Sequence, residues 1–164
     1  MRKALLIVAS LFVVSSACAE ILTPEPSRAC VLLADVGLKA GGWVDENGDG
    51  SSGCASKYQD IGSGASGLAN QLEYYAVGPG DSVIEVRLAM DYNQLADASS
   101  GTAALVAASQ KLALRALGAN LSVAAAALIE GGQPGLERVG KGSVEVIRED
   151  WPNGQGYQVS VVMR

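Results

Sequence analysis

The chain has 164 residues, a net charge of −5 and no histidine. Without histidine, Ser-His-Asp and Cys-His nucleophilic chemistry is excluded, and so are zinc sites built on imidazole. The acidic balance repels polyphosphate and no run of Lys or Arg offsets it locally, so no nucleic-acid partner is expected.

Arg2 and Lys3 precede an apolar run from Ala4 to Val14, and Ala17-Cys18-Ala19 follows. The run is shorter than the roughly 20 residues a membrane span requires. The pattern predicts a cleaved export signal over residues 1–19, with cleavage after Ala19. An alternative makes Cys18 a lipid anchor, because Ser16-Ala17-Cys18 resembles the end of a bacterial lipobox. Ser15 stands where that motif carries Leu, Val or Ile, which favours cleavage. Either outcome places the remainder outside the cytoplasm, periplasmic or extracellular, with no transmembrane segment in the mature chain. Loss of Arg2 and Lys3 takes the charge two units below −5, and loss of Phe12 removes the only Phe.

The mature core must therefore rest on Leu, Val, Ile and Ala with a few Tyr and Trp. Small side chains bury less area each, at about 25 cal/mol per Å², so a covalent staple is expected. Cys30 and Cys54 are the two cysteines left. In an oxidising compartment they pair, and closing a loop of about 25 residues contributes roughly 3 kcal/mol in the chain-entropy model.

Residues 20–27 read as an extended lead, because Pro24 and Pro26 stop an earlier helix. Ser27 is a suitable N-cap, and Leu32, Leu33 and Val36 recur at helical spacing. A first helix is predicted from Arg28 to Ala40, closed by Gly41-Gly42. Residues 43–53 are polar and rich in turn formers and read as a loop. Residues 54–61 are a weak strand, and Gly62 to Gly67 is a flexible connector.

Gln71 to Val77 and Ser82 to Tyr92 flank the turn Gly78-Pro79-Gly80-Asp81, which predicts a hairpin. Its second strand places Ile84, Val86, Leu88 and Met90 on one face and Val83, Glu85, Arg87 and Ala89 on the other. Residues 97–117 form an amphipathic helix with Leu105, Ala108, Leu112 and Ala116 on the buried face. Lys111 and Arg115 share another face, and with Gln110 and Asn120 they argue against a membrane span over 103–129. A shorter helix follows over 121–130, ending at Gly131-Gly132. Ser143 to Glu149 and Tyr157 to Met163 make a second hairpin through Trp151-Pro152-Asn153-Gly154. The order predicts one α+β domain over residues 28–164. Its antiparallel sheet of about four to five strands carries helices on one face, and a disulfide ties the N-terminal helix to it.

Asp45, Asn47 and Asp49 with Gly50 match the start of a calcium loop, where oxygen ligands stand at positions one, three and five and glycine at six. Position twelve is Ser56 rather than glutamate, so the ligand set is incomplete and weak calcium binding is the most it predicts. The same residues also suit a solvated turn. Glu73, Glu85 and Glu145 lie on predicted strands and raise the alternative of carboxylate-based hydrolysis. A Ser109–Lys111 dyad fails, because residues two apart on a helix point to different faces. Tyr75, Glu85 and Arg87 suit recognition of a protein partner, Tyr and Arg being enriched at binding hot spots. The sequence thus points first to a small exported binding or accessory protein without catalytic activity. A calcium-binding domain and a hydrolase stand behind it.

Overall fold

The computed structural model describes residues 21–45, 51–64 and 67–164. The predicted signal with Cys18, and the candidate calcium ligands Asn47 and Asp49, lie outside the described residues.

Antiparallel pairing organises the chain. The strands are β1 (Ser52–Ala55), β2 (Gln59–Ile61), β3 (Asn70–Gly78), β4 (Glu85–Tyr92), β5 (Gly135–Val139), β6 (Gly142–Asp150) and β7 (Tyr157–Met163). They form one seven-stranded sheet in the order β1-β3-β4-β7-β6-β5, with β2 also paired to β3. The expected class, a single α+β domain, is what folds, but the sheet is larger than the expected four to five strands. β5 is the strand the sequence did not announce, and the weak strand over 54–61 divides into β1 and β2. Leu72, Tyr74 and Ala76 on β3, Val86, Leu88 and Met90 on β4, and Val159, Val161 and Met163 on β7 are buried on one face.

That face is covered by α2 (Ala98–Leu117) and α3 (Val123–Gly131). The amphipathic reading of α2 holds, because Leu105, Leu112 and Ala116 are fully buried and Ala108 nearly so. Gly101 lets the helix approach the sheet: a Cβ there would sit 3.0 Å from the Tyr92 ring. Gly118 ends the helix at φ 73, a left-handed cap that glycine adopts without strain. Ser122 caps α3 by accepting a 3.0 Å hydrogen bond from the Ala125 amide.

The N-terminal segment departs from the expected helix. Only α1 (Pro26–Ala29) and a 3-10 turn at Ala34–Val36 form, and Glu25 rather than Ser27 occupies the cap position. The cause is what the segment must bury. Leu33 and Leu38 both reach full burial and bridge to each other, with Gly37 at φ 88 between them, a geometry no continuous helix provides. The Cys30–Cys54 disulfide is present and ties this segment to β1.

One alternation also needs correction. Val83 is buried and Ile84 is 59% exposed, the reverse of the expected assignment. Regular pairing begins only at Glu85, and the Val83 amide bonds instead to the Pro24 carbonyl at 2.8 Å. From Glu85 onward the two faces fall as expected.

Candidate functional site: the uncovered sheet face

Residues directly opposite in paired strands share a face, so the register identifies the side of the sheet away from the helices. One row across it reads Ala55, Tyr75, Arg87, Val162, Glu145 and Leu136. A second row reads Glu73, Ala89, Ser160 and Ile147. Ala89, Ser160 and Val162 are nearly buried here, small residues screened by longer neighbours, whereas Leu136 and Ile147 are exposed.

The structure brings Tyr75 and Arg87 together. They are a cross-strand pair, and the Arg87 guanidinium lies over the Tyr75 ring, 4.7 Å from its centroid. Glu85 shares the face but turns away from them, accepting from Arg164 Nε at 2.8 Å. Arg164 also donates through Nη1 to Glu145 at 2.7 Å, so one guanidinium separates two of the three candidate catalytic carboxylates. The third, Glu73, is nearly buried and accepts the hydroxyl hydrogen bond of Tyr75. Burial and then this carboxylate push the Tyr75 phenol upward, and the Glu73 charge raises Tyr58 as well.

Arg87 is the exception among these charged groups. Its Nε is buried without a hydrogen-bond partner, and it makes no ion pair among the described residues. Each carboxylate nearby on the face has another partner: Glu73 takes Tyr75, Glu85 takes Arg164, and Asp91 takes Gln158.

A further row escaped the sequence reading. Asp60, Gln71, Asp91, Gln158 and Glu149 stand opposite one another across β2, β3, β4, β7 and β6. Gln71 donates to Asp60 at 3.0 Å and Gln158 to Asp91 at 2.8 Å. The carboxamides separate acids that would repel one another if directly opposed. No local pattern announces this row, because it exists only once the register of five strands is known.

Beside Tyr75, at the β1 edge, lies a groove of about 480 Å³ lined by Gly41, Gly42, Val44, Gly53 and Ala55 together with Tyr75 itself. Asp45, the one candidate calcium ligand among the described residues, accepts a 2.6 Å hydrogen bond from the Ser52 hydroxyl. The described residues contain no group of three or more acids, histidines or cysteines placed to hold a metal. Ser109 is buried in α2, whereas Lys111 reaches out to Asp35 at 3.9 Å. No helix among the described residues is long and apolar enough to cross a membrane. Comparison with protein-family models, with curated proteins and with solved structures found no match.

Proposed function

We propose that this chain is a non-catalytic binding protein that works outside the cytoplasm and engages another protein through the uncovered face of its sheet. The observation that carries the reading is the contrast between the two faces. One is sealed by α2, α3 and the N-terminal segment, while the other bears the Tyr75–Arg87 pair with no helix of the described residues packed on it. A broad sheet face of this kind buries enough area only against another macromolecule, and Tyr and Arg are the residues that anchor such contacts.

The Cys30–Cys54 disulfide supports the extracytoplasmic part, since such bonds persist in oxidising compartments. The binding reading is favoured over hydrolysis because Glu85 and Glu145 are both engaged by Arg164, not set across an open cleft.

Site-specific photo-crosslinking in the producing cells tests this. A photoreactive residue at Ile147, on the uncovered face, is expected to give an adduct of defined mass. One at Val123, 90% exposed on α3, is expected to give none. Identical adducts from both positions, or none from Ile147, would overturn the reading.

A further inference from the structure

We infer that β5 is a docking edge for a second copy of this chain, whose own β5 adds to it antiparallel across a two-fold axis. The two seven-stranded sheets join into one, with the helices of both copies on a common face. The inference is independent of the binding role proposed above.

The backbone of β5 shows what it can take. Val139 and Gly142 face each other across the two-residue turn Gly140-Lys141, with Gly140 at φ 58, and the pair that closes such a turn is hydrogen-bonded. Alternation then bonds Glu137 to Val144 and leaves Leu136 and Arg138 with amide and carbonyl turned outward. Ser143, opposite Arg138, has the matching phase: its amide donates to the Arg164 carbonyl at 2.8 Å and its carbonyl accepts from the Arg164 amide at 3.2 Å, both away from β5. No backbone hydrogen bond from another element reaches Leu136 or Arg138 among the described residues. Two donors and two acceptors in a row are complementary to another strand.

The far edge and the side chains select the occupant. Beyond β1 the N-terminal segment closes the sheet: Val44 and Gly53 exchange hydrogen bonds of 2.8 and 2.9 Å, and the Gly41 amide donates to the Ala55 carbonyl at 2.9 Å. β2, on the same side, is three residues long. Head-to-tail addition would need an open edge of matching length there, so the fold offers pairing of like edges, which closes at two chains. A two-fold axis through the sheet opposes residues of one face, and the residue at the axis fixes the register. With Glu137 at the axis two carboxylates oppose each other, and with Arg138 two guanidiniums do. Leu136 at the axis avoids both: it meets Leu136 of the copy, Glu137 meets Gly135 and Arg138 meets Pro134. Leu136 is 65% exposed and lies diagonally beside Ile147, 42% exposed on the same face, so the axis joins two apolar patches into one. Pro134 has no amide hydrogen and ends the ladder, so the contact is short and a Kd of roughly 10–100 µM is expected.

Analytical ultracentrifugation of the purified protein tests this, and the mass is expected to double between about 1 µM and about 1 mM with no larger species. Hydrogen exchange followed by mass spectrometry locates the contact: residues 134–139 should exchange more slowly at the high concentration only. Leu136→Lys sets two like charges at the axis, and Arg138→Pro deletes an outward amide that β6 does not use. Each should weaken association at least tenfold while the circular dichroism of dilute protein stays that of the parent. A mass that remains single throughout, growth beyond two chains, or doubling without slower exchange at 134–139 overturns the inference. Doubling that survives both substitutions does so too. In the producing cells, a photoreactive residue at Leu136 should give an adduct of twice the chain's mass. Adducts of other masses alone would assign the edge to a foreign strand and overturn the second copy.

Discussion

The Tyr74 hydroxyl donates a 2.8 Å hydrogen bond to the Ala29 carbonyl, and both residues are fully buried. This contact pins α1 to β3 across the interior. Burial pushes the phenol above its ordinary range, so it remains a neutral donor. Tyr74→Phe keeps the ring and removes the donor, leaving a buried carbonyl without its partner. The expected cost is about 1–3 kcal/mol, read as a lower urea midpoint with unchanged slope. An unaltered midpoint would mean that the carbonyl finds another donor.

The same segment is held by Cys30–Cys54, whose sequence separation is 24. Removing this cross-link by Cys30→Ser with Cys54→Ser releases loop entropy to the unfolded chain and should cost roughly 3 kcal/mol. Urea unfolding of the parent with and without reductant provides the companion measurement. If the parent unfolds at the same midpoint in both, the bond contributes nothing to stability.

What the sequence disclosed follows from where its signals are local. Both hairpins, the long helix and the disulfide rest on period-two alternation, a 3.6-residue stripe and cysteine arithmetic, all readable within short windows. The N-terminal failure comes from tertiary burial overriding local spacing. Leu32, Leu33 and Val36 keep helical spacing, yet Leu33 and Leu38 are the residues drawn into the core, and the chain turns at Gly37 to place them there. The strand Gly135–Val139 was hidden because Glu137 and Arg138 make an edge strand look like a charged loop. Tyr75, Glu85 and Arg87 were recognisable as one polar face. That Glu85 belongs to Arg164 and not to Arg87 depends on a cross-strand register that no local pattern records.

The α2 stripe offers a paired test of helix packing. Leu112 is fully buried against the sheet, while Leu114, two residues on, is 53% exposed. Leu112→Ala should destabilise by about 2–5 kcal/mol, since it removes buried methyl groups and leaves a cavity. Leu114→Ala should stay within about 0.5 kcal/mol of the parent. Equal losses at both positions would refute the orientation assigned to the helix.

Asp35 links the N-terminal segment to α2 through a fork: Arg115 Nη1 and Nη2 lie 2.6 and 2.9 Å from its two carboxylate oxygens. Lys111 adds a longer contact at 3.9 Å. The Arg115 hydrogen bonds hold the Asp35 carboxyl down at about 2 against an ordinary 3.8. The folded chain therefore binds this proton less readily than the unfolded chain. Whatever stability the fork contributes is fully present above the unfolded value, near pH 4, and is lost as pH falls through about 2. Both partners are solvent-exposed, so the effect is small and screened by salt. Urea midpoints of the parent and of Asp35→Asn should differ by a constant gap from about pH 6 down to about pH 4. The gap should then close toward about pH 2, and closing should be harder to see at high salt. A parent midpoint below that of Asp35→Asn at about pH 6 would show that the carboxylate destabilises the fold, contrary to the direction set by Arg115.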